Sequence, residues 1–134
     1  MKMLAGCLLS ALACAPALAA DPEPCGMRAA RLLSEGQLDE LGRLFEVQTP
    51  QLGERLAMLG RQGAHLTGLA VSDRPRFSQH RRITVRPGDA PPRHDFILQS
   101  VNASAPTLGP VQVQVEIKPH TACSILAIHL DHGA

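Results

Sequence analysis

The apolar residues near the start of the chain recur at helical spacing. Between 26 and 45 they return every three or four positions, which gives one apolar face. Ser34 and Gln37 interrupt the repeat with the spacing of a capping box. We therefore predict two short helices, over 26–34 and 37–45.

A third helix is predicted just after this pair. Thr49 and Pro50 resemble an N-cap followed by a proline in the first helical position. Leu52, Leu56 and Leu59 form an apolar stripe behind them, and glycines at 60 and 63 end the pattern.

The repeat then changes from helical to alternating, which indicates strands. Segment 111–118 places Val or Ile on one face and Gln, Glu or Lys on the other, and 82–86 alternates in the same way. More continuous apolar runs are typical of strands covered on both faces. They predict strands over 96–101 and 124–130, and 66–71 adds a fifth.

Helices at the front and strands behind favour the α+β class. We expect N-terminal helices packed on a curved antiparallel sheet of four to five strands, because a sheet with one apolar face needs a cover. No internal repeat or composition change divides residues 21–134, so we predict a single domain there.

The first twenty residues have the order of a secretory signal peptide. Lys2 precedes an apolar run over 4–18, and small residues close it. The run is too short to anchor in a bilayer, so we expect no transmembrane span after its removal and a periplasmic or secreted protein. An alternative is the segment Leu-Ala-Gly-Cys at 4–7, which resembles a lipoprotein processing site and would lipidate Cys7.

Removal of residues 1–20 leaves two cysteines, Cys25 and Cys123. Two cysteines in an exported chain most often pair, so we predict a disulfide between them. A competing interpretation is a zinc or copper(I) site made by Cys25, His120 and Cys123, since thiolate and imidazole are good ligands for both ions. The two interpretations exclude each other.

The charged residues are concentrated in one stretch although the mature chain is neutral. Residues 74–93 hold six arginines against one acid, Asp89. Guanidinium groups bind carboxylates and phosphates, so the stretch favours an acidic protein or an envelope component as partner. A neutral exported domain without Tyr or Trp is a poor candidate for nucleic acid. The proposed partner-binding residues are Arg74, Arg76, Arg82, Arg86 and Arg93; the alternative is a solvated strand edge.

The remaining candidates for chemistry are histidines and acids. His129, Asp131 and His132 could hold a transition metal, but their position near the terminus favours a solvated polar tail, so we predict no metal and no cofactor. His94 and Asp95 are neighbours that would point to opposite faces of a strand. We therefore assign no catalytic residues. An enzyme would instead need at least two buried polar groups that converge, such as Asp39 or Asp95 with a histidine.

The order of elements resembles a known superfamily. The predicted order is a short helix, a Leu-x-x-Gly-Gln turn at 33–37, a helix to Phe45, a second helix ending at Leu59 and Gly60, and a run of strands. This order is similar to that of small exported members of the nuclear transport factor two-like superfamily. The resemblance implies a sheet curved into a cone whose mouth holds a ligand. Enzymatic members place acids, His and aromatic residues there, whereas this chain has three Phe and no other aromatic residue.

These features together predict an exported, non-catalytic binding or accessory protein of the bacterial cell envelope. It would recognise an anionic partner through its arginine-rich strand face. Two alternatives stay open: a small-ligand enzyme that uses a cone-mouth pocket, and an immunity or inhibitor protein that blocks a partner.

Overall fold

The computed structural model describes residues 23–88 and 95–133, and its order of elements confirms the α+β class. In these ranges the helices are α1 (Cys25–Ser34), α2 (Leu38–Arg43) and α3 (Leu52–Gly63). The strands are β1 (Thr67–Ser72), β2 (His80–Val85), β3 (Ile97–Ala105), β4 (Gly109–Ile117) and β5 (Ile125–Gly133). The predicted signal peptide, Cys7 and Arg93 lie outside the described residues.

The five strands form one antiparallel sheet in the order β1-β3-β4-β5-β2. β1 and β2 follow each other in sequence but occupy opposite edges. The inner strands β3, β4 and β5 are joined by short connections, so the central pairings are local. The pairing of β2 with β5 joins segments that are far apart in the chain.

One face of the sheet is apolar and is covered by the helices. Val111, Val113 and Val115 of β4 are fully buried there. α1 packs across β1, β3 and β4, and α3 contacts β2. Ala29 and Ala30 of α1 are also fully buried, and such small side chains allow close packing between helix and sheet.

The end of α1 differs from the predicted capping box. Gly36 has φ 75°, and the Gln37 and Gly36 N–H groups donate to the carbonyls of Leu32 and Leu33 at 2.9 and 3.2 Å. This is a Schellman motif, which needs a residue that tolerates positive φ. The Ser34 hydroxyl donates instead to the Leu66 carbonyl at 3.1 Å, so the capping-box prediction is wrong.

The predicted N-cap of α3 is also wrong. The Leu52 N–H donates to the Thr49 main-chain carbonyl at 3.1 Å, and the helix starts after that turn. The Thr49 hydroxyl makes no capping bond, and it is the one buried side-chain atom in the described residues without a hydrogen-bond partner.

The two strands predicted to be covered on both faces behave differently. In β5 every residue from 125 to 131 is buried, which confirms the prediction. At the start of β3, Ile97 and Leu98 are 48% and 47% exposed, so the prediction is wrong there. The reason is that β1 ends at Ser72, opposite Ser100, and leaves the first residues of β3 without a neighbour on that side.

The connection from β1 to β2, residues 73–79, crosses the sheet on the face opposite the helices. Four strand spacings amount to about 19 Å, which a chain of this length reaches when nearly extended. Over β4, the Gln112 side-chain amide donates to the Arg74 carbonyl at 3.0 Å. The Arg76 N–H donates to Gln112 Oε1 at 3.4 Å. We call residues 73–79 the strap.

A disulfide joins Cys25 to Cys123, as predicted, with an S–S distance of 2.08 Å. It connects the first residue of α1 to the turn before β5. Its sulfurs are therefore not available as thiolate ligands, which rules out the alternative metal site with His120. No helix in the described ranges is long and apolar enough to cross a bilayer.

Candidate functional site

The face of the sheet opposite the helices is polar, and its side chains stand in rows across the strands. Register aligns Arg82, Asp131, Gln112 and Asn102 in one row. The next row along the strands contains Thr84, His129, Gln114 and Ser100. Glu116 of β4 comes two residues after Gln114, and Arg86 directly follows the end of β2. We call these residues the polar sheet face.

The first row is held by a guanidinium fork. Arg82 donates from Nε and Nη2 to the two carboxylate oxygens of Asp131, at 2.7 and 2.9 Å. The same Nη2 donates to Gln114 Oε1 at 2.6 Å, and Gln114 Nε2 donates to Gln112 Oε1 at 2.9 Å. The hydrogen bonds that Arg82 donates to Asp131 raise the pKa of Arg82, so this cation stays charged.

Gln112 lies at the centre of the face and is 1% exposed. Its Nε2 donates to Arg74 O and to Asn102 Oδ1, at 3.0 and 2.9 Å. Its Oε1 accepts from Gln114 and from the Arg76 main chain. Both donors and both acceptor sites of the amide are used, which removes most of the cost of burying it.

A second fork joins Arg86 to Glu116. Arg86 Nη1 and Nη2 donate to the two oxygens of Glu116, each at 3.0 Å. His129 Nε2 lies 2.7 Å from Glu116 Oε2, and His129 Nδ1 lies 2.8 Å from Thr84 Oγ1. Glu116 and His129 are 6% and 4% exposed, whereas Thr84 is exposed. The four residues form a chain that runs from the interior to the surface.

The electrostatics of this chain determine the protonation of His129. Burial disfavours the charged form of Glu116, but hydrogen bonds from Arg86 and His129 outweigh it and lower the pKa of the carboxyl. Burial also lowers the pKa of His129, and the charges of Arg82 and Arg86 act in the same direction, against the hydrogen bond to Glu116. At neutral pH the pair is therefore an ionised carboxylate and a neutral imidazole.

These states select one tautomer of the ring. An ionised carboxylate only accepts hydrogen bonds, so Nε2 of His129 carries the proton. Nδ1 of the neutral ring is then an acceptor, and the Thr84 hydroxyl has to donate to it. The lone pairs of Thr84 Oγ1 are left to face solvent.

A cleft of about 260 Å³ lies between the strap and the polar sheet face. The lining includes Arg76, Arg82 and His80, together with the apolar side chains of Phe77 and Leu98. Arg76 Nη1 donates to the carbonyls of Ala103 and Val111, at 2.7 and 2.8 Å, and thereby fastens the strap to β3 and β4. The cleft thus combines two guanidinium groups and the Asp131 carboxylate, which is paired with Arg82, with an apolar side.

The five arginines predicted to bind a partner do not share one environment. Arg82 and Arg86 are in the forks, Arg76 fastens the strap, and Arg74 is 85% exposed beside Asp73 at 3.7 Å. Arg93 lies outside the described residues. The sequence pattern correctly placed Arg82 and Arg86 on one face of the sheet. It did not show that they pair with the carboxylates of Asp131 and Glu116.

The prediction that the C-terminal histidines and acid form a solvated tail is wrong. His129 and Asp131 are 4% and 3% exposed because β5 is an inner strand between β4 and β2. His132 alternates to the other side of the strand. In the described part of the chain no group of three His, Cys, Asp or Glu residues could hold a metal ion.

Sequence reasoning missed the partnership of Thr84, Glu116 and His129. A signal was present: segment 82–86 reads Arg-x-Thr-x-Arg, β4 contains Gln-x-Gln-x-Glu and β5 contains His-x-Asp, all with a period of two. The complementary charges are visible in these patterns, but the register that aligns them is not.

The chain matches no known protein-family profile, no curated protein and no solved structure.

Proposed function

We propose that the protein is an exported binding module that takes an acidic side chain of a partner protein into the cleft under the strap. The observation that carries this proposal is the convergence of two guanidinium groups, from Arg76 and Arg82, on one small cleft. Guanidinium groups recognise carboxylates with directed, charge-assisted hydrogen bonds. The expected ligand is therefore a carboxylate on a short apolar stem.

Each of the two guanidinium groups keeps donors that the described residues do not use. Arg82 spends Nε and Nη2 on Asp131 and Gln114, which leaves Nη1. Arg76 spends Nη1 on two carbonyls, which leaves Nε and Nη2. Its guanidinium lies 5.9 Å from the centre of the Phe77 ring, which restricts its orientation. Such fixed donors lose little conformational freedom when a ligand binds.

The surroundings of the cleft favour an acidic partner. Arg74 is exposed on the strap, and segment 73–82 holds four arginines against Asp73. Exposed charges of one sign speed the encounter with an oppositely charged partner. The role of Arg82 and Arg86 is mainly to hold the sheet, so substitution of either one tests stability rather than binding.

The binding proposal is tested with a fluorescent glutamate-rich peptide and fluorescence anisotropy. Arg74→Gln should weaken binding about fivefold at low salt, because this charge is exposed on the strap and does not hold the fold. The matched control, Arg61→Gln, removes the same charge from an exposed position on α3 and should change affinity less than about twofold. Equal weakening by both variants would refute the site.

Export is tested separately on protein isolated from its own cell envelope. Sequencing should find a mature chain that begins near Asp21. Mass spectrometry should find Cys25 and Cys123 unavailable to alkylation until a reductant is added. A retained leader together with two free thiols would contradict the export part of the proposal. The peptide experiment tests the binding part separately.

A further inference from the structure

We propose that Thr84 is a nucleophile activated by His129, and that it accepts an acyl group from a carboxylic ester and passes it to water. This activity goes beyond the binding function, and it uses a different part of the polar sheet face from the strap cleft. The geometry behind it is the chain Thr84–His129–Glu116–Arg86, with successive contacts of 2.8, 2.7 and 3.0 Å.

The first three residues of this chain have the relative positions that an activated hydroxyl requires. A nucleophile needs a base within about 3 Å, and the base needs a partner that fixes its orientation and tautomer. His129 contacts the Thr84 hydroxyl through Nδ1 and the Glu116 carboxylate through Nε2. His129 and Glu116 are buried and therefore fixed in orientation, whereas the Thr84 hydroxyl is exposed, so an ester and then water can reach the reacting end of the chain.

The neighbours of Thr84 on β2 supply positive charge. Arg82 and Arg86 stand two residues to either side of it, on the same face of the strand. In the described part of the chain, Arg86 Nε has no hydrogen-bond partner, although the rest of this guanidinium is used by the Glu116 carboxylate. A donor of this kind stabilises the oxyanion that forms on an ester carbonyl.

The reaction balances with the groups present, an ester and water. Thr84 Oγ1 attacks the ester carbonyl carbon as its proton moves to His129 Nδ1. The intermediate collapses, the bond to the alcohol oxygen breaks, and the alcohol leaves with the proton from Nδ1. Water then attacks the Thr84 ester with the same base, which releases the carboxylic acid and restores the hydroxyl.

The charges that surround His129 set the expected pH dependence. Glu116 of β4 faces Nε2, Arg82 and Arg86 come from β2, and Asp131 is the next residue on the same face of β5. The base works only as the neutral ring, and burial lowers the pKa of His129 below its ordinary value of 6.5. The rate should therefore stay constant above pH 6.5 and fall only on further acidification.

The test uses p-nitrophenyl acetate with the full chain and follows both nitrophenol release and acetylation of the protein. Peptide mapping should locate the acetyl group on Thr84. Thr84→Val keeps the shape of the side chain and should abolish this label, Thr84→Ser should retain it, and His129→Gln should slow acetylation by at least about 100-fold. Thr107→Val, at an exposed turn threonine without a histidine partner, is the matched control and should react as the natural protein does.

Acetylation at Thr84 with the expected pH profile would support the proposal. A natural protein that acquires no label at Thr84, or a Thr84→Val variant that releases nitrophenol at the natural rate, would overturn it. If His129→Gln does not fold, the Thr84 variants alone decide the outcome, because Thr84 is exposed and Val favours a strand. Glutamate-peptide binding is measured independently, so failure of one proposal does not imply failure of the other.

Discussion

The centres of the two sheet faces are both buried, but by different physics. On the helix-covered face, Val113 and Val115 are 0% exposed and contact other apolar groups. On the polar sheet face, Gln112 and Glu116 are 1% and 6% exposed, although none of the helices in the described residues covers them. Apolar burial is non-directional, and its stabilisation follows the area removed from water. Buried polar groups are stable only when each donor and acceptor has a partner.

Because of this difference, the polar sheet face distinguishes between strand registers more strongly than the apolar face does. Valines at 113 and 115 would remain in an apolar layer if a neighbouring strand shifted by two residues. The same shift would separate Arg82 from Asp131 and leave the buried carboxylate of Asp131 without its partner, which is far more costly than poorer apolar packing. We infer that the polar face fixes the register of β2 on β5, whereas the apolar face supplies most of the driving force for folding.

The largest expected effect concerns the helix-covered side, where the disulfide closes the fold. Cys25→Ala with Cys123→Ala should lower the free energy of unfolding by about 4 kcal/mol, since the bond closes a long loop in the unfolded chain. The sequence separation of the two cysteines is 98 residues. Chemical denaturation of the oxidised protein and the double variant measures the difference. A loss below about 1 kcal/mol would show that the unfolded chain is not constrained by this bond.

Removal of one member of a fork should be almost as costly. Arg86→Gln leaves Glu116 buried without its main partner and should lower the free energy of unfolding by about 3 kcal/mol. Adding Glu116→Gln should recover part of that loss, because a neutral amide does not need the guanidinium.

Arg31→Gln is the matched control for this pair. It breaks a fork to Glu23 in which the two side chains are 40% and 34% exposed, and it should cost less than about 1 kcal/mol. Equal costs for Arg31→Gln and Arg86→Gln would contradict the claim that the polar face depends on pairing out of water. Denaturation of the three variants side by side decides this.

The smallest expected effect is the response of stability to pH. Because His129 has a lowered pKa in the folded protein, its contribution is complete above pH 6.5 and is lost as pH falls from there through its folded pKa. Glu116 also has a lowered pKa, so its contribution is lost only below about pH 4.5. Thermal unfolding across this range should show two successive decreases. His129→Gln should remove the decrease that starts near pH 6.5 and keep the decrease below about pH 4.5. If the variant kept the first decrease or lost the second, the proposed charge states of His129 and Glu116 would be contradicted.

Much of the fold was accessible from local pattern. The alternation over 111–118 identified β4, and the leucine stripe at 52, 56 and 59 identified the buried side of α3. Helix ends were harder, because Ser34 and Thr49 have the residue types of caps, while the bonds they make depend on Leu66 and on the turn before Leu52. Such contacts come from tertiary structure and not from propensity.

The candidate site was less accessible for a related reason. A His-x-Asp pair near the end of a chain has the appearance of a solvated tail, and it becomes an interior group only if its strand is central. In the sequence, Arg82 and Arg86 resemble a binding surface. Only the register of β2, β4 and β5 shows that they pair with Asp131 and Glu116.

The sequence by itself determined the class of fold, the alternation that separates apolar from polar side chains, and the expected pairing of Cys25 with Cys123. Only the tertiary structure decided which polar groups meet, because β2 pairs with β5 across more than forty residues of chain. Periodicity acts over a few residues and assigns a side chain to a face. Hydrogen bonds and ion pairs act over about 3 Å, so their partners follow from strand order and register, which no local pattern contains.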